Sequence, residues 1–358
     1  MTPLSLMARG PRRHILVTGA AGYLGGALVR DLLALGHEVT AVDTMIFGER
    51  ALAGQQAHPA LKVRRMDVRG LQREHLAGVH AIVDLAGIGD AAAAELDPAW
   101  THAVNHLARV RLAQLAPAAG VQRYILASSC CVYGDVAEPG ADGPHFDETS
   151  LARATSTYAQ ANLKAEAAVL PLARPGFAPT VLRLAGCYGL APRTRFDLPV
   201  NAATEQALRE RRVALHGDGR SLHPLVHIDD AVQAIVAALG APLVSVARQI
   251  FNVGAGQLSQ AEIARSVRLV LGSHIGIADG PEPLPPNGQR VDFDKIHRLL
   301  GWHPRRELLQ SIAELLDALD AGEVDAGPTT RTAHWYEQAL AGRRLLHIGP
   351  APAVAHPI

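Results

Sequence analysis

Three cysteines, Cys130, Cys131 and Cys187, are all that the 358 residues contain. They are too few for a disulfide framework, and neither a CxxC pair nor the Cys/His spacing of a zinc site occurs. A reducing, cytoplasmic setting and no bound metal are therefore expected. Net charge is also missing, since 34 basic side chains balance 34 acidic ones. With no long Lys/Arg run, the chain offers no generic basic face to nucleic acid or to an anionic membrane. No apolar stretch approaches the ~18 residues that cross a bilayer, because Asp, His, Arg or Glu breaks even the Ala-rich segments. The N-terminus lacks the order of a secretory signal, since Arg9, Arg12 and Arg13 follow its short apolar stretch instead of preceding it. Lysine is scarce as well, with 3 against 31 arginines, so each lysine position can be examined singly.

What is present is an ordinary globular composition, 48% hydrophobic and 19% charged. The length suits two or three domains, or one large α/β unit with an appended lobe. His14 to Thr18 is a short apolar run ending at Gly19, and Tyr23 to Leu35 carries apolar residues at helical spacing up to Gly36. Further apolar segments follow at 38–42, which ends at Asp43, and at 62–66, 81–85, 124–127 and 181–184. Helical patterns fill the intervals, notably 100–119 and 156–172. This alternation predicts an α/β protein with a Rossmann-like, doubly wound parallel sheet. Beyond Gly186, Pro, Gly and Arg become frequent, helices shorten, and PEPLPP at 281–286 marks a loop. The division read from this is an untargeted tail at 1–13, a dinucleotide-binding domain at 14–187 to which 222–254 returns, and a smaller C-terminal substrate-binding lobe at 188–221 and 255–320. An extension at 321–358 holds one helix around 335–345 and has no legible role.

Gly19, Gly22 and Gly25 in TGAAGYLG follow a strand and open a helix. The chain can thus turn tightly and set backbone N–H groups against a pyrophosphate at the helix N-terminus. The plainer alternative is a glycine-rich turn without a ligand. Asp43 weighs against it, because an acid closing the second strand accepts both ribose hydroxyls of an adenosine and repels a 2′-phosphate, favouring NAD over NADP. Its own structural alternative is a helix N-cap. Asp67, in MDVRG, ends the third strand, where it can meet the adenine amino group.

Taken together, several segments carry a resemblance. They are TGAAGYLG at 18–25, Asp43, Asp67, DLAG at 84–87, Asn105, SSCCVYG at 128–134, and Tyr158 with LKAE at 163–166. Further on they are LRLAGCYG at 182–189, RFDLPVN at 195–201, HGDG at 216–219, LVHIDD at 225–230, FNVG at 251–254 and LLGWHP at 299–304. The sequence resembles the extended short-chain dehydrogenase/reductase family, in its branch of nucleotide-sugar epimerases and dehydratases. The resemblance implies NAD held by Gly19, Gly22, Tyr23, Leu24, Gly25, Asp43, Asp67 and Val68, by Leu85, Ala86, Gly87 and Asn105, and by Tyr158 and Asn162. It also implies a nucleotide-sugar substrate and a homodimer built on helices 100–119 and 156–172.

In that family a Tyr phenol exchanges the proton of a sugar hydroxyl, assisted by a Ser or Thr hydroxyl and by a Lys one helical turn after the Tyr. A phenol with a pKa of ~10 is a poor base at neutral pH, and a nearby ammonium favours its anion. By motif Tyr158 is the proton-transfer residue and Ser129 its partner. The lysine is missing, because the segment reads Tyr158-Ala-Gln-Ala-Asn162. At ~100° per residue Lys164 points away from the face shared by Tyr158 and Asn162. Asn162 retains the capacity to hydrogen-bond a nicotinamide ribose. The expectation is cofactor binding with slowed or altered chemistry, and faster turnover near neutral pH on Asn162→Lys.

Position 131 narrows the reaction. Family dehydratases and decarboxylases carry an acid there, so Cys131 disfavours both and leaves 4-epimerisation, in which a keto intermediate turns over and takes hydride back on its other face. Relatives that epimerise next to a ketone by proton removal carry a cysteine there, which makes Cys131 a candidate thiolate base. The plainer reading is a small buried thiol. Substrate contacts implied by the resemblance are Ser129, Tyr158 and Asn201. Gly186 and His223 replace the family's usual Asn and Arg, and an imidazole is a weaker phosphate partner than a guanidinium. Arg193, Arg195, Arg220 or Arg290 can compensate. The expected function is an NAD-dependent epimerase of a nucleotide-diphosphate sugar. A proton-transfer epimerase, a keto-sugar reductase and a cofactor-binding pseudoenzyme are the alternatives.

Overall fold

Apolar runs whose residues are covered on both sides become the centre of a parallel sheet. In the computed structural model, which describes residues 12–134, 145–279 and 288–341, each such run is a strand. The tail at 1–11, the 281–286 loop and everything past 341 lie outside the described residues. The strands are β1 (His14–Thr18), β2 (Glu38–Asp43), β3 (Leu61–Arg65), β4 (Ala81–Asp84), β5 (Arg123–Ser129), β6 (His145–Phe146), β7 (Ala178–Leu184), β8 (Gly186–Tyr188), β9 (Arg212–Ala214), β10 (Leu222–His227), β11 (Gln249–Val253) and β12 (Gly256–Ser259). The helices that position the site are α1 (Tyr23–Ala34), α2 (Ala91–Leu96), α3 (Pro98–His102), α4 (Arg109–Leu115), α5 (Thr157–Val169), α6 (Pro199–Glu210), α7 (Ile228–Gly240), α8 (Gln260–Leu271), α9 (Leu308–Asp320) and α10 (Thr332–Ala341). Between α3 and α4 the helix widens into a π-helical stretch, Ala103–Ala108.

Seven parallel strands pair in the order β11-β7-β5-β4-β1-β2-β3. The period of two divides the core between the two faces. Ile15 and Val17 pack with α1 and α7 on one side, while Leu16, with Ile82 and Tyr124, packs with Leu112 of α4 and Val169 of α5 on the other. The edge strand β3 carries Lys62, Arg64 and Arg65, charges that block pairing with another chain. The strand order reverses between β1 and β4, so a crevice opens at their carboxyl ends, where doubly wound sheets bind ligands.

Past Gly186 the chain builds a second, smaller core in which Val200 and Ala207 of α6, Ile263 and Val267 of α8 and Ile312 of α9 meet. β10 pairs with β8 and β12 in a three-stranded sheet. Within 222–254, α7 and the helical turn Leu243–Val246 pack on the large sheet and β11 pairs with β7, while β10 belongs to the three-stranded sheet. No helix among the described residues is long and apolar enough to cross a membrane.

Candidate active site

β1 ends at Thr18, whose hydroxyl donates to Asp84 Oδ1 at 2.6 Å and accepts from Ala86 N at 3.1 Å. This fastens the carboxyl ends of β1 and β4 together. Gly19 then turns with φ +64°. A Cβ on it would stand 2.7 Å from the Leu85 carbonyl oxygen, and one on Gly25 would stand 2.1 Å from the Gly19 oxygen. Only glycine fits this close approach. Gly22 caps α1 without a side-chain hydrogen bond, so the first N–H groups of the helix face outward as an anion cradle.

Above the cradle lies a cavity of about 470 Å³. Its walls include Gly19, Gly22, Tyr23, Leu24, Gly25, Asp43, Asp67, Val68, Leu85, Ala86, Gly87 and Asn105, and also Ser129, Cys131, Tyr158, Gly186, Arg195 and His223. These residues, from ten separate sequence segments, were all expected at a site. The Asp43 carboxylate accepts from Ala21 N at 2.9 Å and Met45 N at 2.8 Å, and burial pushes its pKa up. Two of a carboxylate's roughly four acceptor positions stay available. Asp67 also caps a short turn and is gripped by the Arg69 guanidinium at 2.8 Å. Asn105 spends its amide on the backbone of Ile88, at 2.8 and 3.1 Å, and so shapes the loop after β4.

Tyr158 enters from the first turn of α5, which Ser156 caps. It lines the cavity together with Ser129, at the end of β5. Burial, then the nearby Cys131, push the phenol pKa up, and Arg109, the Ser129 hydroxyl and Arg195 pull it down. Cys131 is exposed on the cavity wall. The helix is pinned two turns further on. Glu166, on the inner face of α5, receives the Arg183 fork at 2.6 to 3.1 Å and the Ser128 hydroxyl. Of the LKAE segment only Lys164 is exposed.

Three expected residues stand elsewhere. Asn162 is buried and off the cavity wall, donating to the Tyr158 carbonyl at 3.1 Å and accepting from Arg109 Nη1 at 2.8 Å. One donor and one acceptor of its amide are thus taken up inside the protein, away from the cavity where a ribose would lie. Asn201 is fully buried, accepting from Gly189 N and donating to the Arg195 carbonyl and the Tyr23 hydroxyl. It orders the loop over the cofactor end and does not face the cavity. Arg290 also lies outside the lining. Among the compensating arginines, Arg193 and Arg195 line the cavity, while Arg220 is exposed beside Asp218. Arg195 is held by Asp197 and Asp90. Arg193 lies 3.6 Å over the Phe47 ring, with its pKa pushed down to about 10 by burial.

The extension closes one wall. Arg331 pairs with Glu205 at 2.9 Å, Thr332 N donates to Asp197 at 2.7 Å, and Phe196 N donates to the Thr330 carbonyl. Thr332 and Tyr336 reach the cavity, and the Tyr336 ring meets Phe47 and Trp100 edge-on at 5.7 and 5.4 Å. Each such pair adds about 0.5–1.5 kcal/mol beyond burial. Sequence reasoning missed this wall, and it missed Arg109, which also lines the cavity. The signal for Arg109 was a charged residue one helical turn after Asn105. Among the described residues no cluster of three or more His, Cys, Asp or Glu side chains is built to hold a metal.

Comparison with known proteins agrees with this geometry. The family model described as the NAD dependent epimerase/dehydratase family matches residues 15–254. A UDP-glucose 4-epimerase of Mycolicibacterium smegmatis is 31% identical over 317 residues, covering 84% of this chain and 97% of that protein. A dTDP-glucose 4,6-dehydratase of Streptomyces griseus is 29% identical over 313 residues, covering 84% and 92%. Among solved structures, MoeE5 in complex with UDP-glucose and NAD superposes with a TM-score of 0.73 at 26% identity, over 87% of this chain and 100% of that one.

Proposed function

Since this chain belongs to the NAD-dependent epimerase/dehydratase family, we propose that it epimerises a nucleotide-diphosphate sugar by oxidising a ring hydroxyl and reducing the resulting ketone from its other face. One observation carries the reading: Tyr158 and Ser129 stand on the wall of the same cavity that holds the glycine cradle. NAD fits that cradle, where glycines let the turn fold tightly under the uncapped N-terminus of α1, and when bound it supplies the acceptor for the hydride and gives the hydride back. Gly19, Gly22 and Gly25 would hold it with the N-terminus of α1, and Asp43 would take the ribose hydroxyls through its remaining lone pairs.

The chain's own side chains handle the proton. Tyr158 takes it from the sugar hydroxyl and later returns it, and Ser129 orients that hydroxyl. Position 131 offers a thiol where elimination or decarboxylation calls for an acid. This supports epimerisation, as does the UDP-glucose 4-epimerase similar over nearly its whole length. Gly186, His223 and Arg195 line the cavity and would border the nucleoside diphosphate. The reading also carries a homodimer through helices 100–119 and 156–172, which the exposed Leu107 supports and light scattering tests.

The experiment is to incubate the purified protein with UDP-glucose, UDP-glucuronic acid and dTDP-glucose and to follow the sugar protons by NMR. Inversion at carbon 4 is expected, falling roughly 10²–10⁴-fold in Tyr158→Phe. No conversion of any of the three would sink the proposal. A second reading, epimerisation by proton removal next to a ketone, draws on the exposed Cys131 beside Tyr158. Solvent deuterium in the product's carbon skeleton would favour it.

A further inference from the structure

Arg109 is almost entirely buried, yet among the described residues no carboxylate forms an ion pair with it. Its Nε donates to the Ala86 carbonyl at 2.8 Å, and Nη1 donates to the Ala127 carbonyl at 3.1 Å and to Asn162 Oδ1 at 2.8 Å. All three acceptors are neutral. Of the other buried arginines around the site, Arg183 is neutralised by Glu166 and Arg195 by Asp197 and Asp90, while Arg193 donates to the Thr329 carbonyl and lies over the Phe47 ring. Asp84, the buried carboxylate nearest along the chain, is engaged by Thr18 and Tyr124. A buried cation whose direct partners are all neutral is costly, and Arg109 and Tyr158 line the same cavity.

The geometry points to Arg109 as the electrostatic positioning residue of this site: its guanidinium, delivered from α4 through Asn162, holds beside Tyr158 the positive charge that residue 162 does not carry. This rests on the reading of Tyr158 as the proton-transfer residue. The charge is relocated and not lost. The contacts form a relay, because Asn162 donates to the Tyr158 carbonyl with one end of its amide and receives Arg109 with the other. The groups facing the phenol are Cys131 and Ser129 from the end of β5, Arg195 from the loop before α6 and Arg109. Of these, Arg109 is the largest influence drawing its ionisation down.

The arrangement reverses the expectation for Asn162→Lys. An ammonium there would meet a guanidinium already at hydrogen-bond distance, so the single change sets two buried cations against each other. The compatible exchange is Arg109→Met together with Asn162→Lys.

The test reads the phenol itself. The full-length protein is labelled with fluorotyrosine, Tyr158→Phe assigns the resonance, and fluorine NMR follows its titration. In Arg109→Met the Tyr158 pKa should rise by about one unit or more, a tenfold weaker acid, whereas Arg109→Lys should keep most of the wild-type value. Arg109→Met with Asn162→Lys should bring it back down. Should Arg109→Met not fold, Asn162→Asp neutralises the guanidinium at nearly constant shape and should raise the same pKa. A Tyr158 titration unmoved in the folded variants overturns the inference, since a purely structural clamp would leave it in place. Neither cofactor nor sugar enters this measurement. If nucleotide sugars are not turned over but the titration moves, the proposed function fails and this inference stands. The converse result removes the inference alone.

Discussion

Glu166→Gln asks how firmly the catalytic helix is held. The Glu166 and Arg183 side chains are 3% and 5% exposed and meet at 2.6 Å, and Arg183 also donates to the Tyr133 hydroxyl at 2.9 Å. Removing the carboxylate's charge leaves a guanidinium in the interior with only neutral partners, a change that costs about 3–5 kcal/mol. Spread over the melting entropy of a chain this long, that is a drop of about 4–7 °C in the thermal midpoint. Differential scanning calorimetry supplies the measurement, with Glu166→Leu plus Arg183→Met as the decisive companion. That double variant removes both charges and should lose less than the single one, because the penalty lies in the unpaired ion and not in the missing attraction. A double variant as damaged as Glu166→Gln, or more so, would refute the reasoning. A folded Glu166→Gln protein should lose turnover more than substrate affinity, since α5 carries Tyr158.

Three further outcomes are expected. Gly25→Ala, whose Cβ would lie 2.1 Å from the Gly19 oxygen, should weaken NAD binding tenfold or more in titration calorimetry; wild-type affinity would contradict the cradle. His227 is buried and its pKa is pushed down from 6.5 to about 4. Between those values the folded chain binds fewer protons than the unfolded one, so stability rises with pH. Acidifying through that window should thus remove up to about 3 kcal/mol, and His227→Gln should flatten the slope of urea midpoint against pH. Tyr336→Ala empties the aromatic contact with Phe47 and Trp100 and should cost about 3–5 kcal/mol. It should also speed cofactor release in a stopped-flow displacement assay, and an unchanged release rate would mean that α10 does not close the site.

The fold and the cofactor end were legible because their causes are local. A five-residue apolar run, a glycine that no Cβ could replace and an amphipathic helix lie within 21 residues, 14–34. Asp43 was legible for the same reason, standing where its strand ends. Contacts that close across the chain were less so. Arg109 meets Asn162 over 53 residues of separation, and the π-helical stretch before it breaks the periodicity by which helix faces are assigned. Asn201 was placed at the substrate by motif and Arg290 as a compensating charge, but a motif does not say where an amide spends its hydrogen bonds, and those of Asn201 go to Tyr23, Gly189 and Arg195. The extension was readable only as a helix. Its one clue was Trp335–Tyr336, adjacent rings in a chain that is 4% aromatic.

The widened helical stretch Ala103–Ala108 makes the number of residues as important here as their identity. Trp100, Val104, Asn105 and Arg109 all reach the cavity. In an unbroken α-helix the nine steps from Trp100 to Arg109, at ~100° each, would leave the two on opposite sides. A π turn holds about one residue more and takes out roughly that one step of rotation, which brings both to the same wall. Substitutions in Ala103–Ala108 that spare Val104 and Asn105 and keep the backbone intact are therefore tolerable, whereas deletion of one of those other residues would leave every functional side chain in the protein and still turn either the indole or the guanidinium away from the site. Gaps falling in this segment, more than mismatches, mark a chain that has given up the arrangement.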